Sequence, residues 1–394
     1  MAKLGECFSV IRNGASIRQT DGTGGFPITR IETIADKTIN REKFGYAGIY
    51  DLAQYRDYIL QDGDILMSHI NSEKHLGKVA LYSKQDDEQI IHGMNLLMLR
   101  ADTQKVIPEY AKYYFESQKF LRQIGRITKK SVNQASFTVT ALKELEIPLA
   151  SIIVQRDISE KLKKVDWLVS LRKQQLTKLD ELVKARFVEM FGDVLLNSMQ
   201  WPEKTLERMA DIVSGITKGR KTTETDLQEV PYMAVSNVKD GYIDWTTVKT
   251  ILATRQEIEQ YRLMPDDILM TEGGDPDKVG RGAIIKVPLK NSIHQNHIFR
   301  VRLNEQEILP SFFAEYLRHQ KAKRYFLGCA KQTTGIASIN MRQLRALPTL
   351  VPPLSLQKQF AAFVERVDQQ KQTVQESLEK LELMKKALMQ EYFG

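Results

Sequence analysis

Side chains able to do covalent or metal chemistry occur in this sequence, but not at the spacings such chemistry needs. Gly273-Gly274-Asp275-Pro276-Asp277-Lys278-Val279-Gly280 holds the glycines and the lysine of a phosphate-cradling loop in the wrong order. The six histidines never form the His-Glu-x-x-His pair of a zinc site. Two cysteines, Cys7 and Cys329, are too few for a disulfide framework or a cysteine-rich metal site, and they fit a reducing compartment. No Gly-x-Ser-x-Gly turn presents a serine nucleophile. The prolines of Val351-Pro352-Pro353-Leu354 lack the Asn or Asp before them and the aromatic after them that an amino-methyltransferase would want. Glu116-Ser117-Gln118-Lys119 is one residue too long for the Glu-x-Lys of a nuclease. His92 and His294 each stand alone beside a strand candidate, which is the setting of a structural histidine. Such a chain is expected to bind or to scaffold rather than to catalyse.

The elements that would position a binding surface follow from size and pattern. A length of 394 residues suggests two or three domains. With 42% hydrophobic and 27% charged residues, 22 glycines and 12 prolines, the composition is that of an ordinary soluble globular protein, which excludes collagen-like, mucin-like and wholly disordered classes. No apolar run approaches the ~20 residues of a membrane span; residues 147–154 are interrupted by Pro148 and Ser151. Met1-Ala2-Lys3 leads straight into Leu4-Gly5-Glu6-Cys7, so no signal peptide is expected and the cytoplasm is the expected location. The net charge of +8 permits nucleic-acid binding without establishing it.

The chain is written twice. Phe191-Gly192 closes the first half and Phe393-Gly394 the second, an offset of 393 − 191 = 202. That offset carries Leu4 to Leu206, Ile91-His92 to Ile293-His294, Pro108 to Pro310, Tyr114 to Tyr316, Leu142 to Leu344, Gln155 to Gln357 and Val165-Asp166 to Val367-Asp368. With one residue of slippage, Asp64-Ile65-Leu66-Met67 falls on Asp267-Ile268-Leu269-Met270, Gly77 on Gly280 and Ala80 on Ala283. A period near 200 residues is a duplicated domain, not a solenoid. Gly63-Asp64 against Asp266-Asp267 reads as turn variation.

Residues 27–31, 64–67, 78–82 and 96–99 read as strands between turn signals such as Asn13-Gly14, Asp21-Gly22 and Asp62-Gly63, with Gly22-Thr23-Gly24-Gly25 as a hairpin turn. Residues 108–124 read as a helix whose Tyr110, Tyr113, Tyr114, Phe115 and Leu121 face the core. The second copy repeats the plan, with strands at 267–270, 282–287 and 297–303 and a helix at 311–326. Residues 151–191 hold no glycine or proline, and apolar residues recur from Ile158, Leu162 and Val165 to Val183, Phe187 and Met190. Leu356, Phe360, Phe363, Val367, Val374, Leu378, Leu381, Leu388 and Tyr392 repeat that spacing. These are long amphipathic helices with narrow apolar seams, most simply covered by packing on each other antiparallel. Arg172 and Gln370 interrupt the seams and could set register or sit at a solvated edge. The expected fold is α+β: two duplicated mixed α/β domains separated by two long antiparallel coiled-coil helices, pseudo-two-fold. A helix of 34 residues spans ~50 Å, more than the ~34–36 Å of one DNA turn.

This plan resembles the specificity subunit of Type I restriction–modification enzymes along essentially the whole chain. Asn13-Gly14-Ala15-Ser16-Ile17-Arg18 followed by Gly24-Gly25-Phe26-Pro27-Ile28-Thr29-Arg30-Ile31-Glu32 is similar to the opening of a target recognition domain in that family. So is Gly63-Asp64-Ile65-Leu66-Met67-Ser68 with Asn71-Ser72-Glu73 and Leu76-Gly77-Lys78. Residues 176–192, with Leu-x-x-Leu spacing and a Phe191-Gly192 end, resemble its central helix. The resemblance implies target recognition domains at 1–150 and 194–353, a central spacer helix at 151–193 and a C-terminal spacer helix at 354–394. It implies that each domain reads one half of a split, asymmetric site on double-stranded DNA. The helices would set the gap and dock modification subunits, of which two are expected, that methylate adenine N6. No cofactor is expected in this chain; S-adenosylmethionine, ATP and magnesium would belong to those subunits and to an ATP-driven restriction subunit. No catalysis and no membrane partner are expected.

Base edges and phosphates are met by Arg, Lys, Asn, Gln, Ser and Thr on loops. Where that chemistry and the resemblance coincide, the candidates in the first domain are Ser16, Arg18, Gln19, Arg30, Ser68, Asn71, Lys74 and His75, with Lys129, Lys130, Asn133 and Gln134 as a second polar-basic loop. In the second they are Thr217, Lys218, Arg220, Lys221, Asn237, Arg281, Gln295, Asn296, Lys331 and Gln332. Loops 14–20 and 215–221 stand out because both are polar at equivalent places. The competing expectations are a coiled-coil scaffold without sequence-specific DNA binding, and a methyltransferase or nuclease with unrecognised catalytic residues.

Overall fold

The computed structural model describes residues 1–19, 24–132, 134–220, 225–333 and 335–394, without the side chains of residues 277, 332 and 333. Part of the hairpin turn expected at 22–25 therefore lies outside the described residues. The chain divides into two units, one formed by Met1–Lys173 with Glu376–Gly394 and the other by Gln174–Gln375. This differs from the four consecutive segments read from the sequence. Each long helix is shared, because its apolar positions are covered by different domains along its length. Ile158, Leu162 and Phe393 belong to the core of the first unit. Leu179, Val183, Phe187, Phe360, Val367 and Val374 belong to that of the second.

In the first unit, a four-stranded antiparallel sheet runs in the order Phe8–Asn13, Leu96–Ala101, Ile65–Ser68, Val79–Leu81. Alternate side chains go to opposite faces of a strand. Ile65, Met67, Leu97 and Leu99 thus pack under the helices, while Leu66, Leu96 and Met98 fill a second cluster on the other face. Both faces are covered, which is why these strands read as unbroken apolar runs. The strand expected at 27–31 is not formed: Ile28 makes isolated bridges to Gly45 and Ile91. The Arg30 amide then donates to Thr33 Oγ1 at 2.8 Å, which turns the chain into the short helix Ile31–Ile34.

The helix expected at 108–124 is two, Pro108–Glu116 and Gln118–Ile127. Ser117 is extended between them, and its hydroxyl accepts from the Phe120 amide at 3.2 Å as an N-cap. The bend brings Phe115 and Phe120 to 4.6 Å, and it leaves Leu121 partly exposed rather than in the core. The second unit repeats the sheet as Ala210–Ser214, Ile298–Leu303, Ile268–Thr271, Gly282–Ile284. It repeats the split helix as Pro310–Arg318 and Gln320–Cys329, broken at His319. It adds a sheet in the order Lys249–Thr254, Leu227–Met233, Ile293–His294. Asp266 takes the left-handed turn conformation that Gly63 takes in the first unit.

The long helices are Ile152–Phe191 and Leu354–Phe393, 40 residues each, or about 60 Å of helix. Within the first unit, Asp166 pairs with Lys385 at 2.5 Å and Arg172 donates to Ser377 at 3.1 Å. Within the second, Asp180 pairs with Lys371 at 2.7 Å and Phe187 meets Phe360 at 5.4 Å. Gln370 is exposed.

Each helix start is tied to its domain by one fully buried glutamine. Gln155 Oε1 accepts from the Ile107 amide at 2.9 Å, and its Nε2 donates to the carbonyls of Lys105 and Ala150. Gln357 Oε1 accepts from the Leu309 amide at 2.8 Å, and its Nε2 donates to those of Glu307 and Pro352.

Buried glutamine and buried histidine each have a measurable consequence. Gln155→Ala leaves one amide and two carbonyls without partners, at a cost of about 2–3 kcal/mol; hydrogen exchange should show the Ile107 amide losing protection, and unchanged protection would show that the glutamine fastens nothing. Burial pulls His92 down to about 3 and His294 to about 4. Both are neutral when folded and bind a proton near pH 6.5 when unfolded, so stability is complete above that pH and falls as the pH drops toward 4. The thermal midpoint should fall between pH 7 and 5, and fall less in His294→Asn; equal falls would clear that histidine.

Candidate nucleic-acid interface

In each unit a glycine holds a polar loop against the neighbouring chain. The Ala15 amide donates to the His92 carbonyl at 2.8 Å, and the Ile216 amide to that of His294 at 2.9 Å. A Cβ on Gly14 would lie 2.2 Å from the Gly93 carbonyl oxygen, and one on Gly215 would lie 2.0 Å from that of His294. Only glycine permits that approach. The loops that follow present Ser16 and Arg18 in one unit and Thr217 and Lys218 in the other, all exposed.

A small ribbon adjoins each central sheet. In the first unit its order is Ile70–Asn71, Ala135–Ser136, Lys129–Lys130, with Ala135 opposite both Asn71 and Lys130. The Phe137 amide donates to the His69 carbonyl at 3.2 Å, which joins ribbon to sheet end. Lys129, Lys130 and Gln134 are exposed, and Lys130 pairs with Glu73 at 2.8 Å. The turn Glu73–His75 puts Lys74 in solvent and His75 beside it. Slight burial, with the nearby Lys78 and Lys74 charges, holds His75 below the usual imidazole range. Asn71 Oδ1 accepts from the Ser72 amide at 2.7 Å. Gln19 accepts from Arg30 Nε, so these two candidates form one half-buried pair.

In the second unit the ribbon is Gly273–Gly274, Ile336–Ser338, Lys331–Thr333. Lys331 stands opposite Ser338, as Lys129 stands opposite Ser136. Gln332 pairs through its backbone with Ala337. The backbone runs unbroken from loop to ribbon: Asn296 donates to the Ile216 carbonyl, Glu272 to that of His297, and Ile339 to that of Glu272, at 2.8–3.1 Å. Thr217, Gln295, Asn296 and Lys331 therefore lie along one hydrogen-bonded run of backbone. Gln295 Oε1 accepts from the Val235 amide at 3.4 Å. Arg281 is half-buried, and its carbonyl accepts from the Thr271 amide at 3.1 Å.

Three candidates face inward. Ser68 is buried in its strand by sheet pairing. Asn237 is fully buried: its Oδ1 accepts from the Ala234 amide, and its Nδ2 donates to the Asp244 carbonyl and to Thr247 Oγ1. Arg220 is held by Glu257 and donates to the Leu252 carbonyl. Lys221 and Asn133 lie outside the described residues, as does the side chain of Gln332. Sequence reasoning missed Glu272 and His297, which pair at 2.6 Å on the ribbon edge. Neither is repeated in the first copy, so the duplication gave no signal; the polar run Gln295-Asn296-His297 before a strand could have. Among the described residues, no group of three or more His, Cys, Asp or Glu could hold a metal ion, and no helix is long and apolar enough to cross a membrane.

Residues 1–181 and 199–383 each match the family described as Type I restriction modification DNA specificity domain. The chain belongs to that family. It is 28% identical over 406 aligned residues to the MjaX type I restriction enzyme specificity subunit named in Methanocaldococcus jannaschii, covering 98% of this chain and 91% of that protein. It is 22% identical over 251 residues to the EcoKI specificity subunit of Escherichia coli, covering 61% of this chain and 52% of that one. Its fold is similar to the crystal structure of a Type I restriction–modification S subunit from M. genitalium, with a TM-score of 0.57, 16% identity, and coverage of 98% and 94% of the two chains.

Asn237→Ala removes three buried hydrogen bonds and should cost about 2–3 kcal/mol, read as an earlier urea transition; an unchanged transition would return Asn237 to the surface candidates.

Proposed function

We propose that the two units of this DNA sequence-specificity subunit each read one half of a split, asymmetric site. One observation carries the reading: a glycine-tethered polar loop and a lysine-bearing ribbon adjoin the sheet in both units, with different side chains in each. Equal scaffolds with unequal loops suit two different half-sites. Lys129, Lys130, Lys74, Lys218 and Lys331 supply phosphate contacts, while Ser16, Arg18, Asn71, Thr217, Gln295 and Asn296 supply contacts to base edges.

The long helices form an antiparallel coiled-coil spacer with pseudo-two-fold symmetry, a reading supported by the Asp166–Lys385 and Asp180–Lys371 pairs. Their outer faces dock two modification subunits, which bring S-adenosylmethionine and methylate adenine N6. Restriction subunits with ATP and magnesium act on unmethylated DNA. The chain itself does no chemistry and works in the cytoplasm.

Two measurements test this. N6-methyladenine is mapped across a host genome with the chain and a modification subunit co-expressed, and again without the chain. A new split motif should depend on the chain; a stable complex that adds no methylation would favour a scaffold without DNA recognition. Replacing Lys129 and Lys130 by alanine should weaken binding of the complex to all sequences alike and flatten the log–log salt dependence by roughly one unit for each phosphate that is no longer neutralised. An unchanged slope would remove the first ribbon from the interface.

A further inference from the structure

We propose that Asn296 reads an adenine edge in the half-site of the second unit, and that His297 and Glu272 are positioning residues that fix its amide for that task. This rests on the DNA-specificity reading above.

Glu272 Oε2 lies 2.6 Å from His297 Nδ1. An ionised carboxylate only accepts hydrogen bonds, so Nδ1 carries the proton. In the tautomer whose single ring proton sits on Nδ1, Nε2 is an acceptor. Asn296 Nδ2 stands 3.3 Å from it, which makes the amide nitrogen the donor and turns Oδ1 away. The chain Glu272–His297–Asn296 therefore spends one amide hydrogen. With the hydrogen trans to Oδ1 engaged in this way, Oδ1 and the second N–H lie side by side, one acceptor and one donor in a plane. That is the pair that meets N6 and N7 of adenine in the major groove.

The main chain under this relay is pinned. The Asn296 amide donates to the Ile216 carbonyl at 3.1 Å, and its own carbonyl accepts from Ser214 Oγ at 2.7 Å. The Glu272 amide donates to the His297 carbonyl at 3.0 Å. The surroundings are open: Gly273 and Gly274 leave bare backbone beside the histidine, in a cleft shared with Ser338. His297 is 57% exposed and Asn296 half-exposed. The first unit lacks the device. The 202-residue offset puts Met94 and Asn95 where the second unit has Asn296 and His297, and one residue of slippage sets His69 against Glu272. The two half-sites are thus read by different chemistry.

The test uses the full chain in complex with its modification subunit and duplexes carrying the wild-type motif, altered one position at a time. The wild type should prefer adenine at one position of one half-site by roughly 10- to 100-fold, the span of one bidentate pair. Asn296→Ala should lose most of that preference at that position alone, with the other half-site read as before. His297→Ala and Glu272→Ala should lose part of it at the same position, and Glu272→Gln, which still accepts from Nδ1, should restore it. Full discrimination in Asn296→Ala, or an equal loss of affinity for every duplex, would overturn the assignment. Wild-type behaviour of Glu272→Ala would overturn the relay. A wild-type complex that selects no motif removes the reading beneath both.

Discussion

A domain set on a long helix is oriented by whatever fastens it there. In both units that fastening is a buried glutamine on the first turns of a 40-residue helix. A glutamine side chain has two donor hydrogens and an acceptor oxygen, and here each is used on backbone. The bonds reach the segment that leads out of the last sheet strand into the Pro108 or Pro310 helix. Helix and loop are thereby joined within each unit. Net values near ~1 kcal/mol per bond are modest, but a buried amide left unpaired is costly, and this locks one geometry in preference to many.

The same economy recurs at the sheet. Asp64, fully buried, takes both Arg100 Nε and Nη2 and the Gln61 amide. Asp267 takes Arg302 and the Met264 amide in the same way. These repeated clamps leave the ends of the strands free to vary. Variation is found in the ribbons: Ile70–Asn71 in one is Gly273–Gly274 in the other, and Lys130 is replaced by Gln332. Constant fastening with variable edges lets one duplicated scaffold present two unlike surfaces.

Much of this was legible in the sequence because it is repeated. Gln155 and Gln357, Tyr114 and Tyr316, and Asp64 and Asp267 are in register, and each pair makes equivalent bonds in the structure. The helix breaks at Ser117 and His319 were hidden, since helical spacing of aromatics continues across a one-residue extended link. Residues 27–31 looked like a strand because Ile28, Thr29 and Ile31 have the right composition, yet Thr33 captures the Arg30 amide. Among the site candidates, residue type could not separate Asn237, which caps a buried turn, from Asn296, which stands at an edge. Polar side chains suit both tasks, and only the fold decides between them.

If two independently fastened units read two independent halves of one site, exchanging one unit's recognition segment should change only its own half. The most direct measurement replaces residues 194–353 with the equivalent segment of the M. jannaschii relative and maps N6-methyladenine in cells that also carry the modification subunit. One part of the split motif should change while the other part and the gap between them stay as they were. A motif that changes in both parts, or a gap that changes with the swap, would contradict it.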